Sequence, residues 1–173
     1  MSRPIATAAV ALLIVVSALA AAGCGGDDGP DERARPAVAQ IEAAVAALER
    51  ELDGPQEYFE INADAQLVNL FVATDGATTV TPYLYIDGEL QPPAPTRPVT
   101  EGATFTADRI DVDPERVLDQ VAEELSDSEL ATFVVVVGPA GDVRYEVLTR
   151  SPRGGTLAVE VSGDGAILGV ESL

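Results

Sequence analysis

The sequence predicts an α+β fold of two similar halves, each a helix followed by a three- to four-stranded antiparallel meander. Apolar residues recur at spacings of three and four in two short segments, as in amphipathic helices. Each segment precedes several short runs that are apolar or alternate between apolar and polar residues, which is typical of strands. Turns containing Gly, Asp or Pro separate these runs and favour hairpin connections.

The first half is predicted to span residues 37–90. Ile41, Val45 and Leu48 belong to the apolar stripe of its helix, and the Asp-Gly-Pro sequence at 53–55 should end that helix. Strands are predicted at residues 58–62, 66–74 and 79–86, with the last one closed by an Asp-Gly turn.

The second half is predicted to span residues 109–173. Asp113 is suited to cap a helix, Pro114 to its first position, and Val117 and Val121 to its apolar stripe. The predicted strands are 130–137, 142–149, 156–161 and 166–170.

A proline-rich connection, residues 91–108, separates the two predicted halves. Each half has about 60 residues, a size at which the buried area is marginal for independent folding. We therefore expect the halves to share a core or a sheet.

The N-terminal residues 1–23 have the pattern of a secretory signal. Arg3 provides a positive charge, an uncharged apolar stretch follows, and small residues precede Cys24. Residues 24–36 are rich in Gly, Asp and Pro and are predicted to form a flexible acidic linker. Retention of the apolar stretch as a membrane helix, or cleavage by an ordinary signal peptidase, are the alternatives.

The tetrapeptide Ala21-Ala22-Gly23-Cys24 resembles the lipobox of bacterial lipoproteins. This resemblance implies that Cys24 receives a diacylglyceryl group and becomes the first residue after cleavage. The protein would then be anchored by lipid at the extracytoplasmic face of the cell membrane, since two or more acyl chains anchor a protein stably.

Several features of residues 109–173 are similar to the PepSY family. The family pattern is a helix, a strand with Tyr-x-Val, a strand that ends in an acidic turn, and a Gly before a last apolar strand. Here Tyr145 and Val147 match the second strand, and Asp164 and Gly165 match the turn. The layout is also similar to that of uncharacterised actinobacterial lipoproteins. The resemblance implies an exported module that binds or inhibits peptidases.

The composition excludes several function classes. With no His, no Lys and one Cys, the chain has no His/Cys zinc site, no Ser-His-Asp triad and no P-loop lysine. A formal net charge of −19 makes nucleic acid an unfavourable partner. We predict a chain that is not an enzyme and has no catalytic residues, no cofactor and no metal.

Three tyrosines are the candidate partner residues. Tyr58, Tyr83 and Tyr85 alternate with apolar residues in predicted strands, so they should share one face of the sheet. Exposed aromatic rows are enriched in interfaces, and the alternative is that these rings cover the sheet or the second half.

A group of carboxylates around the start of the second helix is a calcium candidate, because calcium prefers oxygen ligands. The residues are Asp108, Asp111, Asp113 and Glu115. Because the group lacks the glycine and terminal Glu of an EF-hand, and Asp113 is accounted for as a helix cap, we expect no calcium site.

The function predicted from the sequence is that of a membrane-anchored, non-catalytic module that binds an exported protein or peptide, in a peptidase-inhibitory or chaperone-like role. The alternative is an extracytoplasmic lipid carrier that holds acyl chains between helix and sheet. In that alternative the apolar run 133–137 lines a hollow.

Overall fold

The computed structural model describes residues 35–99 and 102–173. The predicted signal at 1–23, Cys24 and nearly all of the predicted linker lie outside the described residues. In the described residues, ten strands form one antiparallel sheet, and the chain also has two short α-helices there.

The helices are α1 (Ile41–Glu51) and α2 (Pro114–Glu124). Short 3-10 turns precede them at Val38–Gln40 and Ala107–Arg109. The strands, in chain order, are β1 (Glu57–Ala63), β2 (Leu67–Thr74), β3 (Thr79–Ile86), β4 (Glu89–Leu90), β5 (Arg97–Pro98), β6 (Phe105–Thr106), β7 (Glu129–Val137), β8 (Val143–Arg150), β9 (Thr156–Val161) and β10 (Ile167–Ser172).

The predicted fold class is wrong, because the described chain is one large sheet and not two helix-plus-meander halves. The strand order is β10-β9-β8-β7-β1-β2-β3-β4. The pairing of β1 with β7 joins the two meanders, with Ile61 opposite Val135 and Ala63 opposite Phe133. Of the described residues, 42% are in strands and 20% in helices.

The proline-rich connection also belongs to the sheet, which is a second reason for the correction. It contributes β5, which pairs with β3, and β6, which pairs with β1. The side chain of Phe105 in β6 is buried against Tyr58 of β1, with ring centroids 6.0 Å apart. The connection therefore helps to close one core.

Local sequence accounts for the start of α2 and the end of α1. The Asp113 carboxylate accepts the backbone N–H of Arg116 at 3.2 Å, and Pro114 follows it at the first helical position, as predicted. Helix α1 is followed by Asp53 with a φ of 56°, a left-handed conformation that cannot continue a helix.

The two faces of the sheet differ because side chains alternate along each strand. One face packs on the apolar stripes of α1 and α2 in a single core, which includes Leu48, Ile61, Leu118, Phe133 and Val159. We call the opposite face the open face. Its residues include Glu60 and Asn62 of β1, Glu146 of β8 and Glu160 of β9.

The two edges of the sheet also differ. Alongside β3, the proline-rich segment donates backbone hydrogen bonds from Gln91 to Leu84, from Ala94 to Pro82 and from Val99 to Thr78. At the other end of the sheet, β10 pairs with β9 on one side, and in the described part of the chain no strand pairs with its other side. We call this side the β10 edge.

Candidate functional site

The three candidate tyrosines lie in the core. Tyr58 is 0% exposed, and Tyr83 and Tyr85 are also buried among the core residues. Tyr83 and Tyr85 share the helix-covered face, opposite Leu70 and Val68 of β2. Their burial leaves little ring surface for a partner, and we propose no binding face there.

The carboxylates near the start of α2 do not form a cluster. Asp113 caps the helix, while Asp108, Asp111 and Glu115 are exposed. Across residues 35–99 and 102–173, no group of three or more His, Cys, Asp or Glu is arranged to hold a metal ion.

The β10 edge exposes apolar side chains. Within the described residues, the exposed large hydrophobic side chains are Leu168, Val170 and Leu173, with 63%, 52% and 70% of their surface accessible. All three lie in the last strand or directly after it. An unpaired edge presents free N–H and C=O groups, and natural sheets usually protect such an edge with charges, proline or a covering segment. Apolar residues on an uncovered edge are typical of sites where another strand is added.

An acidic pocket adjoins this edge on the open face. Glu146 of β8 lies directly opposite Glu160 of β9, and Glu171 of β10 lies one strand further out, opposite Ala158. The three glutamates and Gly169 are among the residues that line a pocket of about 390 Å³ there. We call it the acidic pocket.

One arginine partly neutralises the acidic pocket. The Nη1 atom of Arg144 lies 2.9 Å from Oε1 of Glu160, and its Nε atom lies 3.7 Å from Asp142. The negative charge of the three pocket glutamates is therefore larger than the positive charge of Arg144. Among the described residues, Glu146 and Glu171 have no ion pair.

Crowding of negative charge changes the titration of Glu146. Partial burial is the largest cause that raises the pKa of its carboxyl above the ordinary value. The negative charges of Glu160, Glu60 and Glu171 raise this pKa further, and the guanidinium of Arg144 lowers it. A cation in the acidic pocket would therefore relieve electrostatic repulsion.

Gly169 connects the β10 edge to the acidic pocket. It lies opposite Glu160 on the open face, and a Cβ atom built on it would meet nothing within 4 Å. The strand has no side chain at this position, so a path runs from the edge to the Glu160 carboxylate.

A second concave region lies beside α1. It is a groove of about 440 Å³ between α1 and the segment that leads into α2. Most of its lining is apolar, with Val38, Ile41, Val45 and Ile110 among the residues, and Glu42 and Glu49 are its acidic members.

The apolar run predicted as a lining for acyl chains is part of the sheet. Phe133 and Val135 belong to the core, and Val134 is buried on the open face. The run lies in β7, between β8 and β1, which is the position of a central strand.

The residues around β10 were not among the candidates from the sequence. The apolar Leu168 and Val170 in a predicted strand were an available signal, but their exposure depends on the pairing of the whole sheet. Prediction of the acidic pocket would also require the antiparallel registers of β8, β9 and β10. These registers decide that Glu146, Glu160 and Glu171 share a face.

In the described part of the chain, neither helix has the length and apolar character that a membrane span requires. Comparison of the chain with models of known protein families, with curated proteins and with solved structures finds no match, so the resemblances seen in the sequence stay predictions.

Proposed function

We propose that the chain is an exported lipoprotein, anchored through Cys24 at the extracytoplasmic face of the membrane, that binds an extended segment of another exported protein or peptide without catalysis. The single observation behind the binding function is the β10 edge, where a pairing side without a partner among the described residues coincides with exposed Leu168 and Val170. Strand addition at such an edge supplies main-chain hydrogen bonds, and side-chain contacts supply selectivity.

The filled core supports a role in binding at the surface. The largest core side chains of both meanders and both helices are buried in one cluster. Pairing with β9 holds the β10 backbone extended before a partner arrives, which lowers the ordering cost of binding.

The anchor is tested by mass spectrometry of protein extracted from membranes. The expected product begins at Cys24 and carries a diacylglyceryl group, whereas a Cys24→Ala variant lacks this mass and leaves the membrane fraction. An unmodified Cys24, or an intact Met1 terminus, would contradict the anchor.

The binding function is tested by photo-crosslinking in intact cells. A photo-reactive amino acid at position 168 should give a discrete product with another polypeptide, because this side chain lies at the β10 edge. The same probe at Ala43, which is exposed on α1, serves as the control. Equal products at both positions, or none at position 168, would contradict strand addition at this edge.

A lipid carrier is the second candidate, and the groove beside α1 is the observation that favours it. An apolar groove of about 440 Å³ is within the range of small-molecule sites. Native mass spectrometry should then find co-purified lipid in the natural protein and less in an Ala46→Glu variant, in which a charge enters the lining. Equal lipid content in both proteins would contradict the carrier.

A further inference from the structure

We propose that the β10 edge selects a basic segment: an extended strand with apolar residues on one side and an arginine or lysine on the other, whose charged head reaches the acidic pocket across Gly169. This inference rests on the proposed function and adds the chemistry of the partner.

The geometry of β10 sets the pattern of the partner strand. Val170 points to the helix-covered side of the sheet, since it pairs with Val159, while Gly169 and Glu171 belong to the open face. Successive side chains of an added strand alternate between the same two sides. Apolar partner residues therefore lie beside Val170, and the residues between them lie beside Gly169 and Glu171.

Charge complementarity favours a cation at the open-face positions. A long basic side chain of the added strand, placed beside Gly169, is next to Glu171 of β10. Its charged head extends across the glycine toward Glu160 of β9 and Glu146 of β8. The ion pair of Glu160 with Arg144 leaves the other two carboxylates without an ion pair among the described residues. Hydrogen bonds between a guanidinium or ammonium group and carboxylates are stronger than neutral ones.

The same charges disfavour a second copy of this chain as the occupant. Each copy has a formal net charge of −19, and pairing of two β10 strands would bring two acidic pockets together. Like charges at close range across an interface oppose association. A basic segment has the opposite effect.

The test uses the purified full chain in detergent micelles and three fluorescent peptides with blocked ends. Each peptide alternates Val and Thr, and its central Thr is replaced by Arg, Gln or Glu. By fluorescence anisotropy, we expect the Arg peptide to bind about tenfold more tightly than the Gln peptide, and the Glu peptide to bind more weakly than both. Added salt should reduce the advantage of Arg, because surface charges are screened.

Two variants locate the effect. Gly169→Val places a side chain in the path to the pocket, and its Cβ atom meets nothing within 4 Å, so the Arg and Gln peptides should then bind about equally to this variant. Glu171→Gln should reduce the advantage severalfold. Glu89→Gln changes an exposed glutamate of β4, at the opposite end of the sheet, and is the matched control with no expected effect.

The outcomes separate this inference from the proposed function. One outcome is that the Arg and Gln peptides bind equally and that Leu168→Lys weakens the binding of both. This result would overturn the preference for a basic residue and leave strand addition intact. No binding of either peptide, or binding that Leu168→Lys does not change, would overturn both. A dimer in sedimentation that Leu168→Lys dissociates would assign the edge to a second copy and overturn the basic partner.

Discussion

Glu146 and Glu160 lie directly opposite each other on β8 and β9, on the face of the sheet that neither helix covers. Like charges at such cross-strand positions destabilise a sheet. Arg144 pairs with Glu160 at 2.9 Å, and within the described residues Glu146 has no ion pair. The arrangement costs stability in the free protein, and that cost decreases when a cation binds.

Glu146→Gln should stabilise the protein at about pH 7. A folded-state pKa above the unfolded value means that the ionised carboxyl disfavours folding, and the penalty is relieved as pH falls through the folded-state pKa. We expect a gain of about 0.5 kcal/mol in the free energy of unfolding, the scale of a cross-strand charge pair. Urea titration at about pH 7 and below about pH 4 measures it, and the gain should disappear at the lower pH.

The control for this prediction is Glu89→Gln, which changes an exposed strand glutamate at the far end of the sheet. It removes the same charge from the chain, so any general effect of net charge appears in both variants. Equal stabilisation by the two substitutions would show that the cross-strand pair has no role of its own.

Thr149→Val should also stabilise the fold. Thr149 is 0% exposed, and its hydroxyl oxygen has no hydrogen-bond partner among the described residues. Valine has a similar shape and lacks the hydroxyl, so the substitution removes a buried polar group that has no hydrogen bond. The free energy of unfolding should therefore rise by about 1 kcal/mol. Thermal and urea unfolding of the variant and of the natural protein give the difference.

Thr81→Val is the matched comparison and should have the opposite sign. Thr81 is also buried on the helix-covered face, but its hydroxyl lies 2.8 Å from that of Thr96. Loss of this hydrogen bond should cost about 1 kcal/mol. If the two valine variants changed stability in the same direction, hydrogen bonding would not be the cause.

The sequence predicted the individual elements better than their assembly. Strands β3 and β9 have the predicted limits of 79–86 and 156–161, because alternation and turn residues act locally. The pairing of β1 with β7 is a contact between distant segments and leaves no local pattern. The two-residue strands β5 and β6 are too short for a periodic signal.

The candidate tyrosines show the same limit. Alternation predicted that Tyr83 and Tyr85 share a face, and they do. Which face the helices cover depends on tertiary packing, and the rings lie on the covered one. Leu168 and Val170 lie in the strand predicted at 166–170, but exposure at an edge depends on the neighbours of β10 in the whole sheet.

Gly163→Ala should destabilise the protein. A Cβ atom at this position would collide with the backbone carbonyl oxygen of Asp111, which cannot move as a flexible side chain does. The N–H of Asp111 donates to the Tyr145 hydroxyl at 2.9 Å, so a shift of the backbone at 111 also strains this hydrogen bond. We expect a loss of about 1 to 3 kcal/mol in urea unfolding.

Gly169→Ala is the control for that glycine, because its added Cβ meets nothing within 4 Å. The free energy of unfolding should change by less than about 0.5 kcal/mol, or rise as the unfolded chain loses freedom. A loss similar to that of Gly163→Ala would mean that the collision with Asp111 does not explain the effect.

Tyr58 should make the fold sensitive to alkali. Burial is the largest cause that raises the pKa of its hydroxyl above the ordinary 10.0, and the nearby Glu49 carboxylate, which accepts its O–H at 3.3 Å, raises the pKa further. Above about pH 10 the unfolded chain releases this proton while the folded chain retains it, so stability falls as pH rises. Tyr58→Phe should reduce this fall of the free energy of unfolding with pH, measured by urea unfolding. Tyr145 contributes to the fall that remains, because burial also raises the pKa of its hydroxyl. Tyr83→Phe is the control, and an equal reduction of the slope by this variant would rule out a specific contribution from Tyr58.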